Sequence, residues 1–298
     1  MVALEVSGLR KHYGSIRALE DVSFTVGRGE VFGYLGPNGA GKTTTLRILA
    51  GLVRADGGQA LLLGRRAGDA AGRATVGYLP GDLALYGSMT GQALLDTFAR
   101  FRPSRPPVLR ARLLAALRLE ARDLARRSKF LSHGTRQKLG LVIAMQHDPE
   151  LLLLDEPTNG LDPLVQRAFR ELILDRAAQG RAILFSSHVL SEVEAVCARV
   201  AVLGAGRVLA LETIEALRAR LVRRMQVRFR GAPPPDLART PGVVACEIEG
   251  LEARLQIRGD VNPLLQRLAR AEVDHLVFPE PELEDVFLGY FGPEGSRS

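Results

Sequence analysis

The chain has 298 residues, of which 46% are hydrophobic and 24% charged, with a formal net charge of +7. That length suits one large domain plus a smaller one, and with no run of about 18 apolar residues and no charged-then-apolar N-terminus, neither a membrane span nor a secretory leader is expected. Only Lys11, Lys42, Lys129 and Lys138 are lysines; the arginines are spread along the chain, and with no tryptophan and few other aromatics a nucleic-acid partner is not expected.

Residues 4–9 and 16–26 alternate in strand fashion around Tyr13, as an antiparallel subsheet would. Residues 30–35 read as a further strand and 44–50 as a helix. Between them lies Gly36-Pro37-Asn38-Gly39-Ala40-Gly41-Lys42-Thr43-Thr44, which fits the G-x-x-x-x-G-K-[ST] phosphate loop. Its glycines let backbone N–H groups turn around a chain of phosphates. Lys42 offers a point charge to the outer phosphates, and the Thr43 hydroxyl is a hard oxygen ligand for Mg²⁺. Strand, loop and helix in that order set phosphates on a helix N-terminus, so the chain is expected to bind a nucleoside triphosphate.

Residues 76–82 read as a short strand and turn, and 83–129 as helices interrupted by Pro103, Pro106 and Pro107. Ser132 is a suitable N-cap for a helix running to about residue 146, a second anion-favouring helix start. Leu151-Leu152-Leu153-Leu154 has the character of a strand buried on both faces, and it ends in Asp155 and Glu156. Carboxylates at that end fall where parallel sheets bind ligands. Asp155 is placed to hold Mg²⁺ through water and Glu156 to deprotonate an attacking water. The loop 157–162 follows, and another buried strand, 182–188, closes on His188, which at that edge is expected to serve the same site. A guanine-reading Asn-Lys-x-Asp is missing, which argues against a GTPase.

Beyond a helix at 191–198, a hairpin at 200–211 and a helix at 213–221, the composition changes. Strands at 225–230, 243–249, 252–258 and 273–278, with a helix at 262–270, give a β-(α)-β-β-α-β order of ferredoxin type. No catalytic constellation appears in this part. Cys197 and Cys246 are far apart without metal-like spacing, as free thiols in a reducing compartment would be.

Tyr13, the phosphate loop, the Ser132 helix start, the carboxylate pair, the Asn159-Gly160-Leu161-Asp162 loop and His188 occur in the order found in ABC transporters. The chain resembles their ATP-binding subunits, and among these the ones that pair with a separate membrane protein of the ABC-2 export type. The resemblance implies an α/β P-loop ATPase of the ABC type over 1–221, with an antiparallel β subdomain and a helical subdomain at 83–146. Residues 222–298 would form the small accessory α+β domain. It also implies that Tyr13 stacks on adenine and that residues 36–44 hold ATP. Thr43 and Asp155 would hold Mg²⁺, while Glu156 and His188 would serve hydrolysis. Ser132, His133, Gly134 and Thr135 would form a signature that covers the γ-phosphate of a second subunit, and Asp162 would belong to the D-loop. The implied partners are an integral membrane permease and a second copy or similar ATPase, at the cytoplasmic side of the membrane.

Two departures stand out. The signature usually reads Leu-Ser-Gly-Gly-Gln, whereas here it is Leu131-Ser132-His133-Gly134-Thr135. The usual glutamine after residues 78–80 is Gly81, which has no side chain to reach a metal; Asp82 is either a substitute oxygen ligand or a turn residue. The rival function is a soluble ABC ATPase acting on ribosomes or DNA. A single cassette, and no sustained heptads over 45–130, weigh against it.

Overall fold

Strand β3 (Val31–Leu35) and strands β7 (Leu151–Asp155) and β8 (Ala182–Ser187) are buried at every position, as their unbroken apolar sequences require. They form the centre of a six-stranded sheet in the computed structural model, which describes residues 1–102, 104–219 and 222–279. With β6 (Val76–Leu79), β9 (Arg199–Gly204) and β10 (Arg207–Thr213), the order is β10-β9-β3-β8-β7-β6. Pairs β3–β8, β3–β9, β7–β8 and β6–β7 are parallel, so their carboxyl ends share one edge. Lys42, Asp155 and His188 all emerge there.

A second, antiparallel sheet has the order β2-β1-β4-β5, from β1 (Val2–Tyr13), β2 (Ile16–Gly27), β4 (Gly57–Leu62) and β5 (Arg65–Arg66). The inward residues of β1 and β2, with Ala60 and Leu62, share one core with Phe32, Tyr34 and Leu46. β4 is absent from the sequence reading because it opens on Gly57 and Gly58, residues that give no strand signal. Their role is close approach instead: a Cβ at Gly58, whose φ is +76°, would lie 2.2 Å from the Gly8 carbonyl oxygen.

The helical segment consists of α3 (Gly91–Arg100), α4 (Arg110–Ala116), α5 (Ala121–Ala125) and α6 (His133–Met145). Helix α1 (Lys42–Leu49) follows the phosphate loop, and α2 (Ala70–Arg73) precedes β6. Helix α7 (Pro163–Ala178) lies between β7 and β8; Pro163 pre-sets its first turn and the Asp162 carboxylate accepts from the Val165 N–H at 3.0 Å. Helix α8 (Leu190–Glu194) is shorter than expected, because the chain must turn to enter β9 at Arg199. No helix of the described residues is long and apolar enough to cross a membrane.

The chain divides into two units, Met1–Glu212 and the residues from Thr213 onward. The boundary expected at 221/222 therefore falls inside the second unit, which takes in α9 (Ile214–Ala219). A six-residue helix carries too little pattern for sequence to say which core it joins. The rest of this unit is β11 (Val222–Phe229), β12 (Val243–Glu249), β13 (Glu252–Arg258), α10 (Asn262–Leu268) and β14 (Val273–Val277). Its sheet order is β12-β13-β11-β14, with each neighbouring pair antiparallel, which is the ferredoxin-like arrangement. The first crossover holds only a 3-10 turn, Leu237–Arg239. Met225, Val227 and Phe229 alternate inward beside Leu255 and Ile257, and Leu264 and Leu268 of α10 join them. The closing Leu283-Glu284-Asp285-Val286-Phe287-Leu288-Gly289-Tyr290, which in sequence resembles the tail of ABC-2 ATPase subunits, lies outside the described residues.

Candidate active site

The phosphate loop is held from both sides by backbone. A Cβ at Gly36 would lie 2.4 Å from the Leu203 carbonyl oxygen, and one at Gly41, whose φ is +108°, 2.6 Å from that of Ala18. Neither position tolerates a side chain, and the second contact sets the β1–β2 hairpin against the loop. Lys42 is 5% exposed, and its Nζ donates to the carbonyls of Gly36 at 2.6 Å and Pro37 at 3.2 Å. Burial lowers its pKa, while the carboxylates of Glu156 and Asp155 oppose that shift. Thr43 and Thr44 are half-buried at the start of α1, and Pro37, Asn38 and Gly39 are exposed.

Glu156 leaves the end of β7 with φ +48°, a left-handed conformation uncommon outside glycine. This turn separates two adjacent carboxylates. Asp155 stays buried at 1% exposure, and its Oδ1 accepts from the Ser186 hydroxyl at 2.7 Å. Glu156 turns toward Lys42, with Oε1 3.7 Å from Nζ, and toward His188, whose Nδ1 lies 3.0 Å from the same oxygen. The Ser187 hydroxyl donates to Glu192 at 2.7 Å and accepts from the Val189 N–H at 2.9 Å, which fixes the backbone on both sides of His188.

The other Asp155 oxygen, Oδ2, is buried without a hydrogen-bond partner. An orphaned carboxylate oxygen beside a phosphate loop fits a hard divalent cation. Among the described residues no group of three or more His, Cys, Asp or Glu could hold a metal ion. Gly81 abuts this oxygen: a Cβ there would lie 3.1 Å from Asp155 Oδ2. Asp82 is exposed and makes no hydrogen bond or ion pair with the described residues.

The signature residues stand apart. Ser132 caps α6, its hydroxyl accepting from the Thr135 N–H at 3.1 Å and sharing a 2.8 Å hydrogen bond with the Thr135 hydroxyl. The His133 ring packs on Gly160, where a Cβ would lie 2.4 Å from His133 Cδ2, and a Cβ at Gly134 would lie 2.5 Å from the Gly160 carbonyl oxygen. The signature and the Asp162 loop are thus one surface, with Lys138 Nζ 3.6 Å from Asp162. Among the described residues no hydrogen bond or ion pair joins residues 132–135 to Lys42, Glu156 or His188. Tyr13 sits at the hairpin end, 45% exposed.

Sequence reasoning missed Gln137. It is buried in α6, and its Nε2 donates to the carbonyls of Pro157 at 3.1 Å and Glu156 at 3.3 Å, tying the signature helix to the turn that aims Glu156. A glutamine five residues into a helix carries no local signal of such a task.

Comparison with known proteins agrees with this geometry. The family model described as ABC transporter matches residues 19–159. The Nod factor export ATP-binding protein I of Paraburkholderia xenovorans is 38% identical, with 98% of each chain covered. An uncharacterized ABC transporter ATP-binding protein of Nostoc sp. is 40% identical over 71% of this chain and 66% of its own length. A solved ATP-binding subunit of an ABC transporter is 35% identical with a TM-score of 0.66, covering 72% of this chain and 92% of that one. On the strength of the near-full-length match and of a phosphate loop converging with Asp155, Glu156 and His188, the chain belongs to the ATP-binding, ATP-hydrolysing subunits of ABC transporters.

Proposed function

We propose that the chain powers an ABC-2-type exporter as one half of an ATP-sandwiched dimer, bound at the cytoplasmic side to a separately encoded membrane permease. The observation that carries this reading is the division of one nucleotide site between two surfaces. Lys42, Glu156 and His188 converge on one, while the Ser132-capped start of α6 lies on the other, where among the described residues no hydrogen bond or ion pair joins residues 132–135 to them. A γ-phosphate bound at Lys42 would then be covered by Ser132, His133, Gly134 and Thr135 of a second subunit, joining two copies with two-fold symmetry. Hydrolysis removes that contact and lets the pair open. Export as the direction draws on the near-full-length likeness to the Nod factor export proteins.

Within the site, Lys42 and the loop amides bind the phosphates, and Tyr13 stacks on adenine. Glu156 takes the proton of the attacking water. His188, with Nδ1 toward Glu156 Oε1, holds that carboxylate in place and leaves its second nitrogen for a γ-phosphate oxygen. Thr43 and Asp155 would hold Mg²⁺, which supplies charge neutralisation on the phosphates. Asp82, exposed beside Gly81, would be the further oxygen ligand in place of the absent glutamine if it is more than a turn residue. Asp82→Ala is expected to raise the Mg²⁺ concentration for half-maximal hydrolysis by about ten-fold or more, with metal-free nucleotide affinity unchanged. Gly81→Gln should relieve only part of this, since its Cβ must crowd Asp155. Indistinguishable Mg²⁺ titrations would make Asp82 a turn residue.

The partner is tested by purifying the tagged full-length chain from detergent-solubilised membranes. A polytopic membrane protein that co-purifies and changes the ATPase rate is the expected result. Sedimentation with ribosomes or DNA, without such a protein, would instead support a soluble ABC ATPase.

A further inference from the structure

The β1–β4 ladder ends next to Tyr13 in a way that gives one side chain an unassigned task. Backbone pairing runs as far as Arg10 opposite Gly57, and the Asp56 N–H donates to the Arg10 carbonyl at 2.9 Å. From Lys11 onward β1 pairs with β2 alone among the described strands, and the register shifts between Leu9 and Lys11 and again between Lys11 and His12. Bulges of this kind leave backbone donors in need of partners and free the strand end to wander. The Asp56 carboxylate supplies what the ladder lacks. Its Oδ2 accepts from the His12 N–H at 2.7 Å, and its Oδ1 accepts from Lys11 Nζ at 2.8 Å. Lys11 and the His12 amide together hold the Asp56 carboxyl below its usual range.

Lys11 in turn lies over the Tyr13 ring, its Nζ 5.5 Å from the centroid. The ammonium covers one ring face and is attracted to it. The Tyr13 side chain nevertheless remains 45% exposed. The same hairpin touches the phosphate loop, where Gly41 meets Ala18 and Leu19.

We propose that Asp56 is a positioning residue for the nucleobase: through Lys11 and the His12 amide it fixes the Tyr13 ring with one face occupied and the other presented to a purine. This rests on the reading of Tyr13 as the base-stacking residue.

The test compares, in the full-length chain, dissociation constants for ATP and for inorganic tripolyphosphate, which carries the phosphates without the base. Asp56→Ala and Lys11→Met are each expected to weaken ATP binding about three- to ten-fold while leaving tripolyphosphate within about two-fold. A purely structural role would move both ligands or neither. Should Asp56→Ala fail to fold, Lys11→Met carries the comparison alone. Equal loss of both ligands, or wild-type ATP affinity, overturns the proposal. Tyr13→Ala separates the two levels. If it weakens ATP selectively while Asp56→Ala and Lys11→Met do not, only the positioning role falls. If it leaves the ATP-to-tripolyphosphate ratio unchanged, the stacking reading falls and the proposal with it.

Discussion

Glu156→Gln is expected to bind ATP like the wild type and to hydrolyse it about 10²- to 10⁴-fold more slowly, the range associated with loss of a general base. The amide is nearly isosteric, and its oxygen can still accept from His188 Nδ1, so the 3.0 Å contact that aims the side chain survives. What disappears is the capacity to take a proton. The left-handed backbone at position 156, with φ +48°, is untouched by the change and keeps the side chain facing Lys42. With turnover stopped, the γ-phosphate that joins two subunits persists. The variant with ATP and Mg²⁺ should therefore elute from size exclusion as a dimer, and with ADP as a monomer. Phosphate release and the elution profile check the two halves separately. Turnover within about ten-fold of wild type would remove Glu156 as the base. A monomer in ATP would remove the sandwich.

The second large effect concerns Lys42→Ala. Truncating one partner of a buried, hydrogen-bonded charge contact costs about 2–5 kcal/mol, so ATP affinity should fall by about 30- to 4,000-fold. The fold itself should persist. Burial already works against the Lys42 charge and lowers its pKa, and the loop it sits in is held independently by the close backbone contacts at Gly36 and Gly41. Calorimetric titration with ATP, beside a thermal melt showing a cooperative transition, separates lost binding from lost structure. Unchanged affinity in a folded Lys42→Ala protein would remove the phosphate-loop assignment.

Much of the candidate site was legible because its parts are local. The phosphate loop is nine contiguous residues between a buried strand and a helix, and its backbone geometry is encoded by its own glycines. Ser132 announces the start of α6 because an N-cap acts on amides two or three residues away, and the structure shows its hydroxyl accepting from Thr135. The ferredoxin-like unit was legible for the same reason, since alternation along β11 and β13 is a property of each strand by itself.

Other features were not legible, because they are contacts between residues distant in sequence. Gly57 and Gly58 carry no strand signal, and their place shows only when β4 is seen crossing Gly8. Gln137 has no visible purpose until α6 is set against the end of β7. Gly81 reads as a missing side chain; only in the fold does it lie against the unpartnered oxygen of Asp155, where a side chain would crowd that carboxylate.

The sequence by itself therefore determined the motifs proposed to handle the nucleotide, since they are short and their conformations are set by neighbours in the chain. Tertiary structure alone decided how they are aimed: Glu156 toward His188 and Lys42, Asp155 inward, and Asp56 onto the strand that carries Tyr13. The physical reason is the sheet order β10-β9-β3-β8-β7-β6, which brings the ends of β3, β7 and β8 to one edge although β3 lies more than a hundred residues from the other two in sequence. That order minimises exposed apolar surface over the whole core, and no local spacing contains it.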